Sequence, residues 1–490
     1  MTPGAKLTRC ITVVSMLLCA LPGAAQIVPD PPEARSPVTL LAVSDRESGR
    51  VAFAFAGKEQ APVLRALPGE SIRITYTNAM APASTEKCAT GPCMHMTNLH
   101  FHGLHVSPNA PQDDVLTMLA MPGESLQYTV PIPHNQPPGL YWYHTHPHGE
   151  SYRQVLDGMS GAIVIEGIER YVPEIRNMRE RILVLRDRAF AAHDPEATHL
   201  KQVVEMPATR CGTSTEQPER ILTVNGALRP QIPIAAGERQ FWRIVNASPD
   251  LYADVQIDGA PWEMVALDGV PLAYHDPQHR TRLAHHVLLP PAGRLEAIVT
   301  GPRAGTEAKL RTRCFDTGPD GDPNPAMVLA DLVDIQAAAG AERTTSADSQ
   351  PPLFAVLSEQ QLAEVAASAP AFTVIFTEDQ HGFYINGQSY RPDDGPMTRV
   401  RVGGYHHWRV VNATREVHPF HIHQAHFLVY AQNEVRQSEP EWRDTVNVPV
   451  GGSVDLIMDF SDPIIRGMSV FHCHLLNHED KGMMAKILFE

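Results

Sequence analysis

GGYHHWRVVNATREVHPFHIHQA (403–425) lies over GERQFWRIVNASPDLYADVQIDG (237–259) without a gap, and that alignment decides the fold. Each copy opens with a Gly-containing turn and runs into HHWRVVNAT (406–414) or RQFWRIVNA (239–247), where apolar and polar residues alternate as on a half-buried strand. A weaker third copy begins GESIRITYTNAM (69–80), is interrupted by an insertion holding Cys88 and Cys93, and resumes at TNLHFHG (97–103). Endings repeat too, HTHPHGESYRQVLDGMSGAIVIEG (144–167) against HCHLLNHEDKGMMAKILFE (472–490). A chain of 490 residues is too long for one apolar core. The repeat therefore divides it into three domains, 37–168, 175–336 and 353–490, with the Ala/Ser/Thr/Gln/Pro-rich stretch 337–352 as linker. Turn signals recur throughout and helical periodicity is scarce; the best case is SEQQLAEVAAS (358–368), where Ser358 and Gln361 are spaced for a capping box. The expected class is all-β, three consecutive Greek-key β-sandwiches.

Residues 1–25 have the form of a general secretory signal peptide: Lys6 and Arg9, an apolar stretch from Ile11 to Leu21, then small residues around Ala24-Ala25. That stretch is too short to span a bilayer, so a periplasmic or secreted protein with no membrane anchor is expected. Net charge is −15, with no Lys/Arg-rich run, which argues against nucleic acid as a partner. A monomer is expected. Cleavage would leave five cysteines: Cys88 and Cys93 could close a short loop, Cys211 and Cys314 could bracket the middle domain, and Cys473 is left over. An unpaired thiol in an exported protein needs a reason.

The repeat sorts the histidines. Domain 1 carries His100, His102, His144 and His146 as two H-x-H pairs; domain 3 carries His418, His421, His423, His472 and His474; the middle domain has no H-x-H. One H-x-H on a strand is often a solvated face, but four confined to two of three repeats are not. On a strand through 470–474, Cys473 points one way and His472 and His474 the other, so a single strand can serve two metal centres on the order of 10 Å apart. On the thiol side, Cys473 can join His418 and His478 with Met483 as a weak axial thioether, the pattern of a blue-copper electron-transfer site. Zinc is the rival there, but it would leave most of the H-x-H histidines idle. The other eight histidines are more than one ion needs, which points to a multinuclear cluster between domains 1 and 3, the middle domain serving as spacer and wall.

HFHG (100–103), HTH (144–146), HPFHIH (418–423) and HCHLLNHEDKGM (472–483) resemble the four copper motifs of three-domain multicopper oxidases over nearly the whole mature chain. The resemblance implies cupredoxin domains and four copper ions. It places type 1 copper on His418, Cys473, His478 and Met483, type 2 on His100 and His421, and the type 3 pair on His102, His144, His146, His423, His472 and His474. It further implies stepwise oxidation of a small-molecule or metal-ion reductant coupled to reduction of O2 to water.

Oxygen reduction consumes protons, so carboxylates beside the cluster are relay candidates. Glu479 follows His478 directly and is matched by an acid in similar bacterial enzymes; Asp113 and Asp114 follow HFHG at a spacing slightly different from the family's. The donor divides the readings. A laccase-like oxidase of phenols and aromatic amines is expected, with a cuprous or other metal-ion oxidase as the alternative. HEDKGMM is very similar to the ending of the bacterial copper-efflux oxidase, yet 337–369 lacks that enzyme's methionine-rich insertion. A non-catalytic copper-binding or envelope scaffold is the third reading, opposed by the complete ligand set.

Overall fold

The computed structural model describes residues 26–45, 48–82, 87–88, 91–92, 94–189, 220–275, 278–322, 324–335 and 357–490. The expected signal peptide and linker lie outside these residues.

Three pairs of sheets follow the three sequence copies. The first pair is ordered Glu33–Arg35, Val63–Ala66, Ser160–Ile165, Gly139–His144, His100–His102 and Ser125–Pro131, Ser71–Asn78, Val38–Ser44, Val51–Phe55, Lys58–Glu59. The middle pair has seven and five strands, the last pair six and five. Neighbouring strands are often not consecutive in sequence, as where Val63–Ala66 lies beside Ser160–Ile165, which is the Greek-key signature. Each pair encloses its own apolar cluster drawn from both sheets.

The aligned stretches occupy equivalent places. Ser71–Asn78, Arg239–Asn246 and Gly404–Asn412 each lie between a parallel neighbour and an antiparallel one. Their shared terminal asparagine has a reason. The buried amides of Asn78, Asn246 and Asn412 each donate to two backbone carbonyls: those of His95 and Ala120, Leu251 and Leu289, Glu416 and Val448. An apolar replacement would leave those carbonyls unpaired in the core, at about 1–3 kcal/mol each. In one respect the alternation misleads. Seven of the eight residues of Arg239–Asn246 are buried, not every second one. The outer face of this sheet is covered by the first unit, where Val245 and Ala247 pack with Leu140, Trp142 and Val164.

Helix Glu359–Ala367 carries the expected Ser358/Gln361 capping box. Among the described residues no helix is long and apolar enough to cross a membrane. Cys473 is free and buried and Cys314 is disulfide-bonded, while Cys93 and Cys211 lie outside the described residues. The first and last units are stapled together by Asp480, whose carboxylate accepts the Gly149, Ser151 and Tyr152 amides at the start of helix Ser151–Leu156. That contact brings the two sets of H-x-H strands face to face.

Candidate metal centre

Strand Gly467–Cys473 pairs antiparallel with His418–Ile422, setting Phe420 opposite Cys473 and His421 opposite His472. Side chains alternate, so His418 shares the face of Cys473, and His421 shares that of His472. In the first unit His100 stands opposite His144 on paired strands. The H-x-H pairs from the two units interleave, His100 stacking on His423 with ring centroids 3.7 Å apart and His102 on His421 at 3.9 Å. All eight histidines are buried.

The hydrogen bonds show what these rings are prepared for. Four use their outer nitrogen. His144 Nδ1 donates to Thr145 O (2.9 Å), His421 Nδ1 to Asp444 O (2.7 Å) and His472 Nδ1 to Cys473 O (2.9 Å), while His100 Nδ1 meets Asp113 at 3.0 Å. A neutral imidazole whose one nitrogen donates must present a lone pair at the other. That inner nitrogen has no partner in His100, His144 and His421, and in His472 it faces His146 Nε2 (3.4 Å) and His423 Nε2 (3.2 Å). His102 is turned the other way: Nε2 lies 3.1 Å from Asp444 and Nδ1 is orphaned. Burial and the neighbouring imidazoles hold these rings below the ordinary histidine range, His421 at about 4. They are neutral. Converging orphaned lone pairs on neutral imidazoles fit transition-metal ions and little else.

Behind the strand a second site forms. Cys473 Sγ lies 3.4 Å from His418 Nδ1 and 4.0 Å from His478 Nδ1, and the two ring nitrogens are 3.4 Å apart. The far nitrogens are engaged outward, His418 Nε2 with Thr414 Oγ1 at 2.8 Å and His478 Nε2 with Glu416 at 3.3 Å. Phe383 stacks on His478 at 4.0 Å. Met483 is fully buried in the same apolar cluster as Cys473. Burial pushes the Cys473 thiol up, so a metal that takes the thiolate must displace a proton.

Of the relay candidates, two reach the cage. Asp113 is buried and accepts from Phe101 N (2.9 Å) and Gln424 Nε2 (2.6 Å) besides holding His100. Glu479 is buried with Oε1 3.6 Å from His146 Nδ1 and Oε2 3.7 Å from His472 Nδ1, and Oε1 accepts from Ser151 Oγ at 3.3 Å; burial and the adjacent Asp480 hold its carboxyl well above the usual range. Asp114 is spent locally, its carboxylate closing a turn through the Leu116 and Thr117 amides. The two aspartates sit side by side in a run of turns, and only the first has its carboxylate directed to the cage.

Four more residues are invisible in the motifs. Glu416 and Glu378 flank the thiolate site, Glu378 lying 3.7 Å from His418 Nε2. Burial first, and the Glu378 carboxylate second, push Glu416 up to about 9. Asp444 and the middle unit's Arg294 stand at the floor of the cage, both fully buried, so the middle unit is more than a wall. In the sequence only Glu416 stands near a motif histidine, an adjacency too common to single out, and Glu378, Asp444 and Arg294 lie outside every motif.

Comparison with known proteins places the family. Residues 41–170 and 354–490 match multicopper oxidase domains, the two stretches that carry the histidines. The chain is 22% identical over 441 residues to a multicopper oxidase of Staphylococcus aureus (88% of this chain, 83% of that one) and 23% identical over 478 residues to a laccase of Haloferax volcanii (89% and 78%). A metallo-oxidase of Campylobacter jejuni superposes with TM-score 0.67 at 22% identity, over 95% of this chain and 94% of that one. With matched domains at both ends, buried imidazoles converging on one cage and a thiol backed onto it, the chain belongs to the multicopper oxidases, copper-dependent oxidoreductases that use O2.

Proposed function

We propose that this protein is an exported, laccase-like oxidase that draws single electrons from phenolic or aromatic donors at the Cys473 site and reduces O2 to water at the histidine cage. The observation that carries the reading is the strand ending in His472 and Cys473, which continues to His474: one backbone joins a buried thiol on one face to cage imidazoles on the other. Bound copper, one ion at the thiolate site and three in the cage, would supply one-electron storage and the four-electron reduction. His418, Cys473, His478 and Met483 would hold the first. His100, His102, His144, His146, His421, His423, His472 and His474 would hold the other three.

The protein's own part is to bind, orient and supply protons. Apolar packing around Cys473 excludes water from the thiol, and His478 with Phe383 forms its outer edge. Glu479 holds a proton on the cage side and can be resupplied through Ser151 Oγ. Glu479→Gln is expected to slow oxygen consumption by on the order of 100-fold, with the blue absorption of the Cys473 site intact. Turnover unchanged across pH in that variant would remove Glu479 from the proton path.

Glu416 and Glu378 favour a second reading, in which the donor is a metal ion. Two carboxyl groups beside His478 and His418 offer hard oxygen ligands to Fe(II) at the point where electrons would enter. The discriminating experiment is oxygen uptake by copper-loaded protein with a phenol, with Cu(I) and with Fe(II). If the phenol reading is right, Glu378→Gln changes the KM for phenols by less than about twofold. If the donor is a cation, that substitution raises its KM about tenfold, or about 1.4 kcal/mol of lost attraction.

A further inference from the structure

The middle unit supplies no cage ligand, yet it places a fully buried guanidinium against the cage. All five N–H groups of Arg294 are used: Nε donates to Leu140 O (3.3 Å), Nη1 to Ala292 O (3.1 Å) and Asp444 Oδ1 (2.7 Å), Nη2 to Asp268 O (2.8 Å) and Asp444 Oδ2 (2.5 Å). Leu140 belongs to the first unit, Ala292 and Asp268 to the middle one, Asp444 to the last. A saturated, bidentate Arg–carboxylate pair has one orientation and no slack.

Asp444 passes that orientation on. Its Oδ1 lies 3.1 Å from His102 Nε2, and its backbone oxygen accepts His421 Nδ1 at 2.7 Å. Thr445 Oγ1 donates to the same Oδ1 at 3.0 Å and stands 3.3 Å from His421 Nδ1. An ionised carboxylate only accepts, so His102 must carry its proton on Nε2 and turn the Nδ1 lone pair inward. Here the outer nitrogen is Nε2, whereas in His144, His421 and His472 it is Nδ1. The glycine of HFHG has its explanation in the same place. Gly103 has φ +83°, and a Cβ there would stand 2.5 Å from Asp444 Oδ2 and 2.6 Å from Arg294 Nη2.

We propose that Arg294 and Asp444 are positioning residues for the copper cage: the middle unit, through this clamp, sets the tautomer of His102 and the ring orientation of His421. The inference rests on the copper reading above. Outer partners of metal-bound histidines typically matter about 10- to 100-fold in metal affinity.

The test loads wild type, Asp444→Asn and Arg294→Lys with copper and reads three quantities: copper per chain in a chelator competition, the paramagnetic resonance line shape of the cage copper, and the blue absorption of the Cys473 site as internal control. Asparagine puts a donor where only an acceptor fits, facing either His102 or Arg294; lysine cannot make the fork. Both variants are expected to keep the blue absorption, to bind cage copper at least about tenfold more weakly and to change its line shape. A merely structural residue would lower the melting temperature and leave the line shape alone. Should neither variant fold, Thr445→Val decides. It removes one hydroxyl from the clamp without unpairing a buried charge, and a line shape identical to wild type would overturn the proposal, as would wild-type cage affinity in the first two variants. Wild type that takes up no cage copper would overturn the copper reading itself, and the clamp's role with it.

Discussion

Cys473→Ser is expected to abolish the blue absorption and drop oxygen uptake to background, with copper still bound in the cage. A serine hydroxyl is not a thiolate. It is a harder donor that stays protonated at neutral pH, so His418 and His478 are left as two nitrogens without the sulfur that selects copper. The substitution is small, at a position fully buried beside Phe420 and Met483, and burying the hydroxyl costs about 1–3 kcal/mol, which a chain of this size tolerates. Activity falls much further, by roughly 10³-fold or more, because the residue acts as part of a unit with His472 and His474. Metal analysis should find one copper fewer per chain than in wild type. A serine variant that remains blue would refute the assignment of the thiolate site.

Copper removal produces the other large effect. Without metal, His100, His102, His144, His421 and His423 each have a buried ring nitrogen without a hydrogen-bond partner, and His474 has two. Each unpaired buried polar atom costs about 1–3 kcal/mol, and in the loaded protein that cost is replaced by coordination. At free copper of about 1,000 times its dissociation constant a single site adds about 4 kcal/mol. Differential scanning calorimetry should therefore show the copper-free protein melting on the order of 10 °C lower. The copper-free form should also be acid-sensitive in a defined direction. Burial holds His418 at about 3 and His421 at about 4 against an ordinary 6.5, so between those values the unfolded chain binds more protons than the folded one. Stability then falls as pH drops below about 6.5 and is lost progressively down to about 3. Equal melting temperatures with and without copper would show that the cage is not a metal site, and a copper-free form indifferent to pH across this window would show that these histidines are not held neutral by burial.

Much of this was legible because strand geometry is local. Alternation along 470–474 places Cys473 and His472 on opposite faces whatever the rest of the chain does. The gapless alignment likewise gave the equivalent strands ending in Asn78, Asn246 and Asn412, since a repeated sequence repeats its register. Where alternation failed, at Arg239–Asn246, the cause was a second unit covering the face that a lone sandwich would expose to water. The choice between Asp113 and Asp114 also waited on the fold, because adjacent residues differ only in which side of the chain they face.

The sequence by itself singled out the candidate ligands, because these histidines and the cysteine come in short motifs whose spacing the pleat converts directly into direction. Only the tertiary structure decided what holds those ligands: Asp444 reaches His102 across 342 positions and is gripped by Arg294 of a unit with no ligand of its own. The physical reason is that a metal bond selects residue type, which sequence displays, whereas a tautomer is set by whatever acceptor folding brings within about 3 Å of the outer nitrogen.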